Sequence, residues 1–324
     1  MTTLKRILMV ALLALLPFTT ATIAADKEHG YSRIFIFGAS FIDPGNRYAD
    51  TGLISSPPFI DPLAPVAYEV GGHRATNGRT WVEVMAQEMG LTKWAKPAYR
   101  DPVFGNYAYD HARVRDVDPP YIVFAPSVGD QIDAWKNNGY CTGGPMSPMN
   151  DTLFVVDTGA ADLLDIMVPP GGVDPDSIFF AILTAMGNHI VELYNCGARN
   201  FLVADLLPLG IAPGVALVGD PEEANQLAET FNWFLGQVIS DITEALPGTN
   251  IKTTGFYGFG EAMIEFSEEL GFTNVTEPCV TFWVVEDAYC DNPKEYFFWD
   301  YLHPTKAAHA LLGRHALEQL PAPD

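Results

Sequence analysis

Short apolar runs alternate with longer helix-like segments along much of this 324-residue chain. Runs of branched and aromatic residues that end at glycine or a polar residue are typical of buried strands. Such runs predict strands at 33–37, 153–157 and 201–204. The remaining pattern predicts helices at 81–91, in the second half of 118–138, and at 177–195, 222–246 and 306–320. This alternation predicts an α/β protein whose parallel sheet is covered by helices on both faces.

The first predicted strand leads directly into a serine. The run 33–37 ends at Gly38, and Ser40 follows on the turn. Open α/β sheets build their sites at the carboxyl ends of strands, so Ser40 is a candidate nucleophile. The alternative is a serine that merely caps a helix. Residues 44–79 are rich in proline, glycine and serine, and they predict a long loop near Ser40 that shapes a binding mouth.

A second polar pair lies near the C-terminus, where Asp300 and His303 are three residues apart. In a helical turn this spacing places both side chains on one face. A serine nucleophile needs a base, and the base needs a group that holds its tautomer. Asp300 can hold one imidazole nitrogen while the other faces Ser40. The alternative is a surface turn in which Asp300 caps a helix that begins near Pro304.

The two ends of the chain together resemble the GDSL (SGNH) esterases and lipases. The stretch FGASFIDPGN is similar to the FGDS-x-x-D-x-G-N block of that family, and FFWDYLHPTKAAH is similar to its closing F-x-D-x-x-H-P-T-x-x-x-H block. Further similar segments follow in order between about residues 33 and 315: 106–108, 127–132, 153–162, 204–210 and 268–279. An ordered set of blocks is far more specific than any single one.

This resemblance implies a three-layer α/β/α fold with a flavodoxin-like parallel sheet. It also implies a carboxylic ester hydrolase in which Ser40 is the nucleophile, His303 the base and Asp300 the residue that orients His303. The expected partner is a small-molecule or lipid ester. The Gly-x-Ser-x-Gly nucleophile elbow is the alternative motif for a serine hydrolase. It is disfavoured because Ile42 stands where its second glycine would be, and because the acid, Asp300, lies only three residues before the base, His303.

The resemblance weakens at the groups that would stabilise an oxyanion. Members of the family are expected to use the N–H of the nucleophile, here Ser40, a glycine N–H and an asparagine side chain. Asp110 and His111 replace the glycine pair, although the backbone N–H of His111 can still donate. Ala161 replaces the asparagine and has no side-chain donor.

Two functions therefore stay open. The first is an esterase with a depleted or rebuilt oxyanion hole, in which Asn106 or His111 supplies the missing donor. The second is a catalytically weak or inactive module that binds an acylated ligand or a protein partner. Ala39 replaces the aspartate that precedes the serine in the family, at a position that does not carry the proton transfer.

Composition and charge restrict the partners further. The formal net charge is −22, which makes nucleic acid an unfavourable partner because phosphate binding needs clustered lysine and arginine. No cofactor or metal is expected, since no dinucleotide-type glycine loop follows a strand and the cysteines lack zinc spacing. Three helical histidines, which usually serve packing or lie at the surface, are left out of the site: His189, His309 and His315.

The N-terminus has the layout of a signal peptide. Lys5 and Arg6 precede an apolar run, and small residues close it near Ala25, so residues 1–25 are predicted to be removed and 26–324 to form a single domain. An uncleaved anchor is the alternative, and no other segment is expected to span a membrane. The predicted location is secreted, periplasmic or extracellular.

The four cysteines fit export, because disulfides persist in oxidising compartments. Cys279 and Cys290 are eleven residues apart and are expected to pair. Cys141 and Cys196 are candidates for a second bridge. Sequence alone does not fix connectivity, and buried free thiols are the alternative.

Overall fold

The computed structural model describes residues 29–52, 68–117, 125–157, 159–169, 173–281 and 288–322. The predicted signal peptide lies outside the described residues. So do residues 53–67 of the predicted long loop and residues 118–124 at the start of the predicted 118–138 segment.

Strands and helices alternate through most of the chain. The strands are β1 (Arg33–Phe37), β2 (Thr152–Asp157), β3 (Asn200–Ala204), β4 (Asn250–Thr253), β5 (Asn274–Pro278) and β6 (Tyr296–Phe298). The helices are α1 (Asn46–Thr51), α2 (Trp81–Glu88), α3 (Val128–Asn137), α4 (Ala160–Met167), α5 (Pro175–Asn195), α6 (Val215–Val218), α7 (Pro221–Ala245), α8 (Phe256–Glu265) and α9 (Lys306–Glu318).

The main sheet is parallel and runs in the order β1-β2-β3-β4. Residues 105–109 extend it beyond β1: the Tyr107 N–H donates to the Ile36 carbonyl at 2.8 Å, and the Ile36 N–H donates to the Gly105 carbonyl at 3.0 Å. If residues 105–109 are counted as the second strand along the chain, β2, β3 and β4 become the third, fourth and fifth. The order across the sheet is then 2-1-3-4-5, which is the flavodoxin-like order. The predicted α/β fold is confirmed.

Alternate residues of each strand enter separate hydrophobic cores on the two faces of the sheet. Phe35 and Phe154 pack on one face with α3, α5 and α7. Ile34 and Leu153 pack on the other with α2 and α9. Because successive side chains of a strand point to opposite faces, strands that are apolar at every position need cover on both sides. The fold has three layers for this reason.

The predicted helices differ from the observed ones mainly at their ends. Helix α5 begins at Pro175 with Asp174 as its N-cap, two residues before the predicted start at residue 177. Proline suits the first helical position because its φ is already helical, and the Asp174 carboxylate accepts the Asp176 N–H at 3.3 Å. Strand β4 was not predicted, since it is a partly exposed edge strand with Ile251 as its one buried residue.

Both expected disulfides form. Cys279 pairs with Cys290, and Cys141 pairs with Cys196. The first bridge closes the loop that precedes the Asp300 block, and the second ties the residue after α5 to the segment that follows α3. Free buried thiols are thereby excluded for these four cysteines.

Helix α5 is long and apolar enough to cross a membrane by length and composition, and it is the one such helix among the described residues. It also supplies several side chains to the core, among them Ile182 and Met186. The core helix of a soluble protein meets the same test. The absence of a membrane segment after the signal peptide therefore stays a prediction.

His309 joins α9 to α2, because its Nδ1 accepts the Trp81 N–H at 3.2 Å in a fully buried site. Burial, reinforced by the charge of His303, lowers the pKa of His309 to about 3. An unfolded histidine titrates near ~6.5. Between pH 6.5 and 3 His309 is therefore protonated in the unfolded chain and neutral in the folded one. The free energy of unfolding falls as the pH falls through this range.

We therefore expect His309→Asn, which keeps an acceptor for Trp81, to lessen the acid sensitivity of the protein. Urea unfolding at pH 5 and pH 6 should show the free energy of unfolding of wild type falling by about 1.4 kcal/mol more per pH unit than that of the variant. Above pH 7 the two profiles should run parallel. Parallel profiles throughout the acid range would contradict the buried neutral histidine.

Candidate active site

The turn that carries Ser40 requires glycine at its first position. Gly38 has a φ of +154°, and a Cβ built there would lie 2.3 Å from the Cβ of Asp157 on β2. The chain therefore passes too close to the neighbouring strand for any side chain. Ser40 follows two residues later, partly buried, at the carboxyl edge of the sheet.

Two buried side chains hold this turn in place. The Gly38 N–H donates to Oε1 of Gln131 at 2.8 Å, and Nε2 of Gln131 donates to the Gly38 carbonyl at 3.0 Å. The Ala39 N–H donates to the Asp157 carboxylate at 3.2 Å. Gln131 lies in one of the segments that carried the family resemblance, but sequence reasoning assigned it no role. Its amide oxygen accepts the Gly38 N–H, which has no strand partner among the described residues, while the Gly38 carbonyl also accepts the Tyr109 N–H at 2.9 Å; no local pattern reveals this role.

Asp300 and His303 form the close pair that their spacing predicts. Nδ1 of His303 lies 2.8 and 2.9 Å from the two carboxylate oxygens of Asp300. The same carboxylate accepts the N–H groups of Leu302 and His303 at 2.8 and 2.7 Å. Asp300 is buried, and the helix that follows is capped by Thr305 instead. The alternative role of Asp300 as a helix cap is therefore wrong.

One open cleft of about 700 Å³ brings most of the predicted site residues together. Ser40, His303, His111 and Ala161 all line it, while Asp300 lies behind His303. Most of the remaining wall is apolar and comes from α4, the segment after β3 and the region around Leu302. Among the described residues, no group of histidine, cysteine and acidic side chains is arranged to hold a metal.

His111 occupies a backbone conformation that suits glycine. Its φ is +65°, in the left-handed region, which explains why the related proteins are expected to carry glycine here. The N–H of the preceding Asp110 is already used, because it donates to the Asp43 carboxylate at 2.8 Å. Within the described part of the chain, the N–H groups of Ser40 and His111 donate to no protein acceptor.

Asn106 does not line the cleft. It is fully buried, and its Nδ2 donates to the Ile42 carbonyl at 2.8 Å while its Oδ1 accepts the Ala108 N–H at 2.9 Å. Both ends of the amide are committed to backbone groups near the Ser40 turn. The hypothesis that Asn106 supplies an oxyanion donor is therefore wrong, and Asn106 instead fixes the segment that leads to His111.

Ala161 is the second residue of α4, and its methyl group faces the cleft without a hydrogen-bond donor. Its neighbour Asp162 is fully buried and accepts the Val114 N–H at 2.8 Å. Burial raises the pKa of Asp162 to about 7. The segment from 159 to 162 thus keeps its structural aspartate while lacking the asparagine expected beside it.

Beside the cleft lies a buried charge cluster of Asp43, Arg47 and Asp110. Arg47 pairs with Asp110 at 2.8 Å, and Asp43 accepts the backbone N–H groups of Gly45, Asn46, Arg47 and Asp110. Burial, reinforced by the charge of Asp110, raises the pKa of Asp43 to about 7, although the hydrogen bonds from backbone N–H groups act to lower it. Burial also acts to raise the pKa of Asp110, but the charges of His111, Arg47 and His303 outweigh it and lower that pKa.

Comparison with known proteins identifies the family. The model for the GDSL-like lipase/acylhydrolase family matches residues 34–316. The chain belongs to this family. GDSL esterase/lipase 6 of Arabidopsis thaliana is 23% identical over 94% of this chain and 91% of its own length. Another GDSL esterase/lipase of that plant is 26% identical, with 92% of each chain covered.

An acetyl xylan esterase from the rumen bacterium Butyrivibrio proteoclasticus resembles this GDSL-family chain more distantly. It aligns with 89% of this chain and 63% of its own, at a TM-score of 0.39 and 10% identity, which is too remote to inform the substrate. The family match confirms the expected enzyme class, a carboxylic ester hydrolase. It does not by itself assign a role to any residue of the cleft.

We expect removal of Arg47 to be strongly destabilising, because Asp110 would keep a buried charge without its cation. Arg47→Met should lower the free energy of unfolding by about 3–5 kcal/mol, measured by urea denaturation at pH 7. The double variant Arg47→Met/Asp110→Asn should recover part of this loss, since both members of the ion pair are then removed together. Equal losses in the single and double variants would show that packing, and not charge, is what Arg47 contributes.

Proposed function

We propose that this GDSL-family protein is an exported serine esterase or lipase that works through Ser40, His303 and Asp300. The observation that carries the proposal is the shared cleft: Ser40 and His303 line one apolar cavity, and Asp300 holds the Nδ1 side of His303. Because that nitrogen faces a carboxylate, the proton sits on Nδ1, and Nε2 becomes the basic nitrogen.

In the proposed reaction, the Ser40 hydroxyl oxygen forms a bond to the ester carbonyl carbon and His303 Nε2 takes the hydroxyl proton. The tetrahedral intermediate collapses by breaking the bond to the leaving alcohol, which receives that proton from His303. Water then attacks the acyl-serine with His303 again as the base, releasing the acid and restoring Ser40. Asp300 stabilises the transient imidazolium and stays ionised.

The oxyanion would be held by the backbone N–H groups of Ser40 and His111. Support comes from the cleft position of both residues and from their uncommitted N–H groups among the described residues. Asp110 cannot share this role through its N–H, which Asp43 accepts. Ala161 adds no donor, so the hole is depleted by one group relative to the expected set of three.

Export fits the two disulfides and the predicted signal peptide at residues 1–25. The alternative function is a weak or inactive module that binds an acylated ligand or a protein partner. It is favoured by one observation, the missing side-chain donor at Ala161. A binding module would retain its ligand, but a serine-directed phosphonate would not label Ser40 covalently.

Ser40→Ala should abolish turnover. We expect hydrolysis of p-nitrophenyl butyrate to fall at least about a thousandfold, because the residual rate comes only from binding and oxyanion stabilisation. A fluorophosphonate should label wild type on Ser40, as located by peptide mass spectrometry, and should not label the variant. Ser177→Ala, an exposed serine on α5, is the control and should keep full activity. A silent, unlabelled wild type would favour the binding module.

Ala161→Asn should raise kcat by restoring an oxyanion donor. Since loss of one such donor costs about a hundred- to a thousandfold, we expect a gain of at least about tenfold with little change in KM. Ala161→Leu is the matched control, because leucine has a similar size and no donor, and it should give no gain. An equal response of kcat to both variants would mean that the hole is not short of a donor.

A further inference from the structure

A second space opens beside the loop that follows Ser40. This space, the basin, is open to solvent, has a volume of about 760 Å³, and is lined by parts of three segments: 44–48, 72–74 and 96–104. The described residues of its wall include none that lines the active-site cleft. A ligand in the basin would therefore make its own set of contacts, separate from those of an ester at Ser40.

The wall of the basin is positively charged, although the formal net charge of the chain is −22. Its charged side chains are Arg74, Lys96 and Arg100, and no carboxylate is found among the described wall residues. The whole chain has 18 lysine and arginine residues against 40 aspartate and glutamate residues. Three cations around one space are thus a local reversal of the charge, and such a reversal attracts an anion.

Two of these three cations have no acidic partner. Arg74 is already paired, because its Nε and Nη2 each donate to a carboxylate oxygen of Glu83 at 2.7 Å. Lys96 and Arg100 are exposed, and neither forms an ion pair with a carboxylate in the described part of the chain. Asp101, which follows Arg100, accepts a backbone N–H at 3.1 Å. The charges of Lys96 and Arg100 are therefore available to a ligand.

A tight turn brings both of these cations to the basin. The Pro97 carbonyl accepts the Arg100 N–H at 3.1 Å, and the Lys96 carbonyl accepts the Asn106 N–H at 3.3 Å at the edge of the main sheet. The Lys96 ammonium lies 5.4 Å from the ring centroid of Phe104, which also lines the basin. Because the backbone and the Lys96 side chain are already ordered, an anion that binds here costs less conformational entropy.

Aromatic rings form another part of the wall. The ring of His73 stacks on that of Tyr48, with centroids 3.4 Å apart and planes 6° from parallel. Both residues line the basin, so the same space offers cations for an anionic group and ring surface for an organic one.

We propose that the basin binds a small soluble phosphomonoester, whose phosphate group contacts Lys96 and Arg100. This inference goes beyond the proposed esterase function and does not depend on it. A guanidinium donates to two oxygens and an ammonium to a third, which matches the three terminal oxygens of a phosphomonoester better than the two of a carboxylate. The organic part of the ligand packs on the rings of Tyr48 and His73.

The overall charge of the protein decides between two sources of a phosphate group. A phosphorylated lipid headgroup lies in an extended anionic surface, which a chain of net charge −22 approaches only against repulsion. A single soluble phosphate ester experiences mainly the nearby cations of the basin, because salt screens the more distant charges. The ligand is therefore assigned as a soluble molecule.

The test is isothermal titration calorimetry of the full protein with glycerol 3-phosphate at pH 7.5, where the phosphate carries close to two charges. We expect saturable binding at one site, which weakens as NaCl is raised from about 20 to about 200 mM. Glycerol should give no binding, and inorganic phosphate should bind more weakly because it lacks an organic part. Ser40→Ala should bind with unchanged affinity. The absence of saturable binding, or equal affinity for inorganic phosphate, would overturn the proposal.

Lys96→Met and Arg100→Met should each weaken the binding of glycerol 3-phosphate at least about tenfold, because each removes charge-assisted hydrogen bonds. Lys93→Met is the matched control and should bind like wild type. Lys93 is also exposed and also lies over a ring, 5.3 Å from the centroid of Trp94, but it does not line the basin. Equal weakening in the three variants would show attraction by general charge and would overturn the site.

Vesicles of phosphatidylcholine with added phosphatidate separate the two sources of phosphate. The protein should not sediment with them. Sedimentation with these vesicles that is lost in Lys96→Met and Arg100→Met, without binding of glycerol 3-phosphate, would overturn the assignment of a soluble ligand. Failure of the esterase proposal appears elsewhere, as no turnover of any ester and no labelling of Ser40, and it would leave the calorimetric result unchanged.

Discussion

The position of Ser40, the proposed nucleophile, depends on the paired hydrogen bonds between Gln131 and the backbone of Gly38. Beyond the last residue of β1 the Gly38 carbonyl still accepts the Tyr109 N–H at 2.9 Å, but the buried N–H groups of Gly38 and Ala39 have no strand partner among the described residues. An unpaired buried backbone group costs about 1–3 kcal/mol, so the turn needs substitutes. A glutamine amide offers one donor and one acceptor in the right separation, and Asp157 supplies the next acceptor. The position of Ser40 at the sheet edge follows from these side-chain acceptors for the two N–H groups.

The same logic explains why the asparagines and aspartates of the family blocks are mostly structural. Asn46 donates to the carbonyls of Asn106 and Ala108, and Asp43 gathers four backbone N–H groups. These contacts tie the loop after Ser40 to the edge segment that ends at His111. Residues far apart in sequence thereby form one hydrogen-bonded rim, and Ser40 and His111 lie beside it at the cleft.

The departures from the family pattern act on this rim in different ways. At His111 the substitution keeps the backbone in a glycine-like conformation, so the N–H is preserved and only a side chain is added. At Asp110 the new carboxylate is neutralised by Arg47. At Ala161 the asparagine side chain expected from the family pattern is absent, and the described residues that line the cleft include no side-chain amide. The proposed esterase activity is thus expected to depend on backbone donors and on binding in the apolar cleft.

The sequence by itself determined the layered fold, the family and the Asp300–His303 pair, because each rests on short-range patterns: buried strands, ordered blocks and a three-residue spacing. Only the tertiary structure decided which side-chain amides are already hydrogen-bonded to the backbone and which are available to a ligand in the cleft. It showed that Asn106 is bound to the backbone and that Gln131 holds the Ser40 turn, since both depend on partners more than sixty residues away. The apolar cleft likewise exists only where α4, the segment after β3 and the region around Leu302 meet beside Ser40, and no local pattern encodes such a space.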